Sequence, residues 1–292
     1  MSICAIVVSY NPDLDIIKNL NALFDQVDEV VIVDNGSGVS GKKLLVEIYS
    51  NPKAVVIYNE ENLGIAEALN IGVKHAKASG YYWVATFDQD SRVMPGMIAT
   101  MLTAYYAYPE REKVAMLAPR YKSKESGLIT RSASENVNYS KESIRELKLA
   151  ITSGNLVKLS IFDSVGYFNE ALFIDYVDFD FCLRCGNYDY KILQVYDAVL
   201  EHSVGSPSQH RFFGKIKTTT NHSALRRYYI ARNRIYLYKK FGTTSPFWVS
   251  TDSYVFLMEV VKIIFFERGR RKKLSALFMG IFHGIIGRMG KL

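Results

Sequence analysis

Two aspartates stand one residue apart at the end of a strongly apolar run in this chain. The run "YYWVATF" leads directly into Asp88, Gln89 and Asp90, and a Pro-Gly turn follows soon after. Apolar runs of this length indicate buried strands, where isolated charge is unfavourable. A hard divalent cation such as Mg²⁺ or Mn²⁺ takes one or two carboxylates and completes its coordination with substrate phosphates. The pair therefore predicts a site for a cation and a phosphate ester, and a solvated turn after a strand stays open as the alternative.

A further carboxylate lies in the aromatic segment "FIDYVDFDFCLRCG", where we expect a helix to begin at about Asp178. Acidic residues suit the start of a helix, and Asp180 has Arg184 four residues on as an ion-pair partner. A carboxylate held among aromatic side chains can act as a general base, which we predict for Asp178, with helix-start charge alone as the alternative. Cys182 and Cys185 fall inside this helix, so we interpret them as buried thiols and not as a redox pair.

Three polar positions have the chemistry to bind a nucleotide. Asp34 ends the run "VIVD" and offers a carboxylate to a nucleobase imide or a ribose hydroxyl. Asn62 and Gly64 precede a well-formed helix, whose first N–H groups would bind an anion, and a glycine there lets a diphosphate approach closely. An Asx turn at Asp34 and a simple N-cap at Asn62 stay open as alternatives.

Two further candidates lie in the second half of the chain. His202 follows an apolar strand, and a neutral imidazole there would serve as another metal ligand, although a structural histidine is an equally good interpretation. Residues 224–241 interleave arginine and lysine with tyrosine. The tyrosines fall at helical spacing and are expected in the core, which leaves Arg232 or its neighbours to reach a diphosphate.

The elements that must position these residues alternate along the first hundred residues. Strands are predicted over 3–10, 29–36, 54–60 and 81–88, and helices over 13–26, 42–50 and 64–79. Strands joined by helices of this length form a mostly parallel α/β sheet. Ligands bind beyond the carboxyl ends of such strands, so the polar clusters that begin with Tyr10-Asn11, Asp34, Asn59 and Asp88 are expected to meet in one cleft.

Charge is distributed unevenly along the 292 residues. Residues 1–204 contain 19 Lys and Arg against 26 Asp and Glu, whereas residues 205–292 contain 17 against 3. Such a basic tail is expected to bind the phosphate groups of a nucleotide, a nucleic acid or a lipid headgroup. Three cysteines do not form a disulfide framework and suit a reducing cytosol. The N-terminus lacks the basic region that begins a signal peptide, so we do not expect secretion.

Two apolar stretches near the C-terminus, 253–266 and 274–287, flank the basic "RGRRKK". Each is shorter than the roughly 20 residues that a spanning helix needs. We expect a helical pair on the surface of an anionic membrane, with a helical cap on the core or a dimer contact as alternatives. The predicted domains are therefore 1–242 for the catalytic part and 243–292 for the appendage.

Eight motifs together resemble those of glycosyltransferase family 2, inverting enzymes of the GT-A fold. In chain order they are "VVSYNP", "VIVDNGS", "NLGIAEALNIG", "FDQDS", "TSGNLV", "DYVDFDFCLR", "EHSVGS" and "YYIARN". Within that family the chain is similar to the bacterial rhamnosyltransferase branch, which uses dTDP-L-rhamnose to build cell-surface polysaccharide such as O-antigen or capsule.

The resemblance implies an α/β GT-A fold with a Rossmann-like, mostly parallel central sheet, flanking helices and a C-terminal helical appendage. It places at the nucleotide-sugar donor Tyr10, Asn11, Asp34, Asn62, Gly64, Asp88, Gln89 and Arg232. It places Asp90 and His202 at Mg²⁺ or Mn²⁺, and Asp178 at the acceptor as general base. The usual Glu-Asp pair of the family is Val177-Asp178 here, which removes a neighbouring carboxylate. The implied acceptor is a saccharide or a lipid-linked sugar on the cytoplasmic face of the cell membrane, and no nucleic acid is involved.

Several alternatives remain at this point. A UDP-sugar would serve as donor within the same family. A sugar-nucleotide nucleotidyltransferase expects a Gly-rich, basic first loop, which "SYNPDLD" does not provide. An NAD-binding module built on "GSGVSG", residues 36–41, or a nucleic-acid-binding module built on the basic helix leaves Asp88, Asp90 and Asp178 unexplained.

Overall fold

The structure, a computed structural model, describes residues 1–48, 50–123, 129–130, 143–202, 208–212 and 215–292. For residues 129–130, 208–212 and 215–218 it describes the backbone only. The chain divides into two compact units. The first contains Met1–Glu170 and Val177–Ser203, and the second contains Ala171–Tyr176 and Val204–Leu292.

The first unit is built on a ten-stranded sheet. Its strands are β1 Ile3–Ser9, β2 Glu29–Asp34, β3 Ala54–Tyr58, β4 Trp83–Asp88, β5 Arg92–Val93, β6 Val114–Ser123, β7 Ile129–Thr130, β8 Ile144–Leu147, β9 Asn155–Lys158 and β10 Lys191–His202. The order is β3-β2-β1-β4-β9-β6-β10-β5, with β7 beside β6 and β8 beside β10. Strands β1 to β4 pair in parallel, as do β6 and β10, and β9 runs antiparallel between β4 and β6. The expected α/β fold with a mostly parallel sheet is confirmed.

Among the described residues, six α-helices accompany this sheet. They are α1 Asp15–Phe24, α2 Val39–Ile48, α3 Ile65–Ala78, α4 Met97–Ala107, α5 Ile161–Val165 and α6 Val177–Asn187. All residues of β1 and all but the first of β2 are buried, as expected for parallel strands covered by helices on both faces. The apolar face of α1, with Ile16, Leu20 and Leu23, joins the same core.

In the part of the second unit that the structure describes there are three α-helices and a hairpin. They are α7 Ala224–Phe241, α8 Pro246–Phe266, α9 Arg270–Ile286, β11 Ser208–Phe212 and β12 Lys215–Thr219. Helix α9 packs closely on α7 through two glycines. A Cβ added at Gly280 would lie 2.4 Å from the Tyr228 carbonyl oxygen, and one added at Gly284 would lie 2.6 Å from the Arg232 carbonyl oxygen. Helix α7 thus belongs with the C-terminal helices, and the division falls before the boundary expected at residue 242.

Helix α8 is longer than the apolar stretch suggested. It begins at Pro246, a residue favoured in the first helical turn, and runs for 21 residues. Asp252, Glu259 and Lys262 interrupt its apolar sequence. Among the described residues, no helix combines the length and the apolar character that crossing a bilayer requires.

Candidate active site

The carboxyl ends of four parallel strands meet at one edge of the sheet. Ser9 at the end of β1 is in register with Asp34 at the end of β2, and Asp34 is in register with Tyr58 of β3. On the other side of β1, Val8 is in register with Asp88 of β4. The polar loops that follow these strands are therefore neighbours, as the alternation of strands and helices predicts.

Asp88, Asp90 and His202 form a group with metal-binding geometry. One candidate ligand atom from each lies within 4.8 Å of the others. His202 reaches the group because β10, whose last residue it is, pairs with β5 just after Asp90. Two carboxylates and an imidazole are a donor set that accepts a divalent cation such as Mg²⁺ or Mn²⁺, so these residues fit the ion that the sequence predicts.

Two serines hold this group in place. The Ser91 hydroxyl lies 2.8 Å from His202 Nδ1 and 2.6 Å from the Ser153 hydroxyl. Ser153 Oγ also accepts a hydrogen bond of 3.1 Å from the backbone N–H of Asp88. His202 Nδ1 lies 3.5 Å from Asp90 Oδ1. Sequence analysis missed both serines, although Ser91 and Ser153 stand in the motifs "FDQDS" and "TSGNLV".

Asp178 lies in the first turn of α6 and is half-buried. Its Oδ1 accepts a hydrogen bond of 2.9 Å from the backbone N–H of Phe179. Together with Thr86, two residues before Asp88, the Asp178 side chain lines a small cavity between the sheet and α6. The predicted general base therefore lies on the side of the sheet that carries the paired aspartates.

Tyr121, in the carboxyl half of β6, lies beside the metal-binding group. Burial, followed by the negative charges of Asp178 and Asp88, raises the pKa of Tyr121 well above its usual value. Its ring meets that of His202 edge to face, with 6.4 Å between the centroids. Its hydroxyl donates a hydrogen bond of 3.4 Å to the Ile151 carbonyl oxygen and stays protonated at neutral pH. In the sequence, Tyr121 is marked only by its place near the end of an apolar strand.

The predicted base-binding residue Asp34 is 0% exposed. Its Oδ1 accepts hydrogen bonds from the hydroxyls of Ser9, at 3.2 Å, and Ser37, and its Oδ2 accepts one of 3.1 Å from the Ser37 N–H. The alternative of local turn bonding is therefore present. A contact between Asp34 and a nucleobase stays a prediction.

Asn62 and Gly64 form the turn that leads into α3. Asn62 Oδ1 accepts hydrogen bonds of 2.9 Å from the Gly64 N–H and 3.1 Å from the Asn35 side chain. Gly64 stands at the N-cap with φ of 90°, and no side chain caps the first turn. The first N–H groups of α3 therefore carry no side-chain cap and suit an anion, whereas the Asn62 side chain is hydrogen-bonded within the turn.

Gln89 and Asn11 join the loops at the strand ends. The Gln89 amide accepts a hydrogen bond of 2.8 Å from the Tyr10 N–H and donates one of 3.4 Å to the Tyr10 carbonyl. The Asn11 N–H donates to Ser37 Oγ at 2.7 Å, and Asn11 Oδ1 accepts from the Gly38 N–H at 2.9 Å. The Tyr10 side chain remains 48% exposed at this edge. Of these predicted donor residues, Tyr10 thus offers the accessible ring and the two amides shape the loops around it.

Arg232 lies in the second unit and is 1% exposed. It donates hydrogen bonds to the carbonyl oxygens of Ala171, Leu172 and Gly290 and, from Nε, to Asn233 Oδ1 at 3.0 Å. These bonds engage its guanidinium within the unit, contrary to the expectation that the helix leaves it free. A diphosphate contact by Arg232 stays a prediction.

The comparison with protein families matches residues 4–166 to the model of glycosyl transferase family 2. The chain is 31% identical over 302 residues to "dTDP-rhamnosyl transferase RfbF" of Shigella flexneri, covering 99% of this chain and 97% of that one.

Two solved structures share the fold. GalNAc-T7 with UDP, GalNAc and Mn²⁺ aligns with a TM-score of 0.60 at 14% identity, over 82% of this chain and 47% of that chain. S. aureus TarS 1-349 in complex with UDP-GlcNAc aligns with a TM-score of 0.54 at 17% identity, over 99% of this chain and 73% of that chain. At such identities these likenesses show the fold alone. The matched family model and the full-length relative show more: this chain belongs to glycosyltransferase family 2.

Proposed function

We propose that this glycosyltransferase moves L-rhamnose from dTDP-L-rhamnose to a hydroxyl of a saccharide, with inversion at the anomeric carbon. The donor is proposed from the full-length similarity to a dTDP-rhamnosyl transferase. The reaction type is supported above all by one observation: Asp178 lines a cavity together with Thr86 of β4, the strand that ends at Asp88. A base for the acceptor and a phosphate-binding carboxylate pair on one side of a sheet suit a single displacement at a sugar–diphosphate linkage.

In this mechanism Asp178 accepts the proton of the acceptor hydroxyl while that oxygen attacks the anomeric carbon. Attack from the face opposite the diphosphate inverts the configuration without a covalent intermediate. Asp88, Asp90 and His202 would hold a divalent cation, which supplies positive charge that stabilises the leaving diphosphate. The start of α3 after Gly64 would add N–H groups toward the same negative charge.

A panel of nucleotide sugars tests the donor. We expect dTDP-L-rhamnose to be hydrolysed or transferred with the highest kcat/KM, ahead of UDP-glucose, UDP-galactose and UDP-GlcNAc, when free nucleotide is measured with Mn²⁺ or Mg²⁺. The Asp178→Asn chain serves as the blank for contaminating hydrolases. A UDP-sugar as the best substrate would overturn the proposed donor but not the family. Release of nucleotide from none of them would contradict transfer from these sugars altogether.

We also propose that the acceptor is a cell-surface polysaccharide or lipid-linked precursor and that the chain works at the inner face of the cell membrane. Exposed apolar side chains support this proposal. Of the 23 large hydrophobic side chains exposed among the described residues, 12 lie on α8 and α9. They are Phe247, Tyr254, Val255, Leu257, Met258, Ile264, Phe265, Phe278, Met279, Phe282, Ile285 and Ile286. Exposed apolar surface of this kind marks an interaction site.

Charge supports an anionic lipid surface over a second copy of the chain. Asp252 and Glu267, two of the three acidic residues after 204, are buried in ion pairs with Arg234 and Arg227 at 2.7 Å. The turn between α8 and α9 carries exposed Arg268, and the first turn of α9 carries exposed Arg270, Arg271 and Lys272. Like charges would oppose pairing of two such turns, whereas each basic residue near an anionic bilayer contributes about 1 kcal/mol to binding.

Vesicle flotation tests this contact with the full chain. Phe278→Ser with Phe282→Ser, or Arg271→Glu with Lys272→Glu, should each abolish flotation with anionic vesicles, because one pair inserts and the other meets headgroups. Val39→Ser with Val46→Ser, on exposed positions of α2, should leave it unchanged. Truncation at residue 246 is unsuitable since it would uncover α7. A wild-type chain that stays with the unbound fraction and elutes as a dimer would favour the homodimer alternative.

A further inference from the structure

The segment 171–176 joins the 3₁₀ turn Glu170–Leu172 to helix α6 and has an unusual backbone. Phe173, Asp175 and Tyr176 all have positive φ, at 64°, 63° and 65°. The left-handed region is uncommon for residues other than glycine, and bulky aromatic residues there are outliers. Such a backbone persists only where the surrounding structure holds it, and it concentrates at functional sites.

Asn233, in the middle of α7, provides the main hold on this segment. Its Nδ2 lies 2.9, 2.8 and 2.9 Å from the carbonyl oxygens of Leu172, Ile174 and Asp175. The Asn233 side chain is 0% exposed, and its Oδ1 accepts from Arg232 Nε. One buried amide group therefore lies within hydrogen-bond distance of three carbonyl oxygens of the strained segment, and its own orientation is fixed by the neighbouring arginine.

Two arginines of α7 complete this arrangement. Arg232 donates to the carbonyl oxygens of Ala171, at 3.3 Å, and Leu172, at 2.9 Å. Arg226 donates to the carboxylate of Asp175 at 2.9 and 3.2 Å. Every one of these partners belongs to the second unit, so α7 and the segment 171–176 form one packed piece.

The chain leaves this piece at Tyr176 and enters α6 at Val177, whose next residue is Asp178. The strained backbone of 173–176 thus leads directly into the first turn of α6, and Asp178 follows it by two residues in the chain. Catalysis by a positioned base is sensitive to such placement, because a misplacement of about 1 Å can lower the rate by about 10²-fold.

We propose that Asn233 is a positioning residue for Asp178: by holding the strained segment 171–176 it sets the position of the general base. The inference rests on the proposed function, in which Asp178 deprotonates the acceptor. Arg226 has the same role to a smaller extent, since it binds a side chain of the segment and not its carbonyl groups. Arg232 orients Asn233 and thereby acts with it.

The experiment compares Asn233→Ala and Arg226→Met with Glu267→Gln as the matched control. Glu267 is also buried beside α7, where it bonds Arg227 and Lys273 at 2.7 Å each, but these bonds do not involve the segment 171–176. Three readouts are taken for each chain: kcat and donor KM, the Kd for dTDP with Mn²⁺ by calorimetry, and hydrogen–deuterium exchange of peptides covering 171–183.

For Asn233→Ala we expect faster exchange over 171–183 and a kcat lowered by about tenfold or more, with donor KM and nucleotide Kd unchanged. Arg226, with its side chain 46% exposed, gives a variant that folds, and we expect the same pattern at smaller size. Glu267→Gln should lower the melting temperature without faster exchange in these peptides and without loss of kcat.

Unchanged exchange over 171–183 in folded Asn233→Ala, or a kcat equal to that of Glu267→Gln, would overturn the inference. If Asn233→Ala does not fold, the same two comparisons on Arg226→Met decide. A wild-type chain that transfers no sugar would instead overturn the proposed function, and the exchange data would still judge the hold on the segment separately.

Discussion

Asp178→Asn should lower kcat by about 10²- to 10⁴-fold, the range that general-base catalysis typically contributes. Asparagine has the size of aspartate and still accepts a hydrogen bond from the Phe179 N–H, so the first turn of α6 should stay intact. What it loses is the ability to take a proton from the acceptor hydroxyl. The donor is bound by other residues, so the Kd for dTDP with Mn²⁺ and the donor KM should change little.

Asp180→Asn is the matched control, because it alters a second carboxylate in the same helical turn. Asp180 is 0% exposed, and its Oδ2 lies 2.8 Å from Arg184 Nε. Loss of this buried ion pair should lower the melting temperature while leaving kcat of the folded protein close to wild type. Transfer by Asp178→Asn at the wild-type rate, or an equal loss of kcat in Asp180→Asn, would rule out Asp178 as the base.

The sequence predicts the first half of the fold well, and the reason is local. Strands β1 to β4 are continuous apolar runs bounded by turn residues, and α1 and α3 show helical spacing of buried side chains. Parallel pairing then follows from the helical crossovers between them. The position of β9, antiparallel between β4 and β6, does not follow, because its four residues carry no signal for the strands they will join.

The residues of the candidate site likewise fall into those that the sequence predicts and those that only the structure reveals. Asp88, Asp90 and Asp178 are recognisable because carboxylates beside apolar strands or aromatic residues need a reason to be there. Tyr121 is not, since its ring contact with His202 joins residues that are far apart in the chain. Arg232 is expected to reach a diphosphate because the tyrosines of its helix fall at helical spacing and are expected in the core. The structure uses it for carbonyl groups of the segment 171–176, a pairing that helical spacing cannot reveal.

Asp90→Asn should lower kcat/KM by about 10²-fold or more and weaken Mn²⁺ binding in the presence of dTDP. The physical reason is charge: neutral asparagine is a weaker ligand for a hard cation, and two negative groups near the diphosphate then become one. Excess EDTA should abolish transfer by the wild-type chain, and added Mn²⁺ or Mg²⁺ should restore it. For Asp90→Asn, restoration should require a higher metal concentration, which a metal titration of the rate would measure.

Glu201→Gln is the control for Asp90→Asn: it tests whether loss of any nearby negative charge raises the metal concentration that activity requires. Glu201 adjoins His202 on β10 and pairs with Lys122 at 3.0 Å, but it is not a member of the metal-binding group. Its replacement should leave the metal titration unchanged, whereas His202→Ala should shift it in the same direction as Asp90→Asn. Full activity in EDTA, together with an unshifted titration in Asp90→Asn, would mean that these side chains form the solvated turn and that Asp88 binds the donor without a cation.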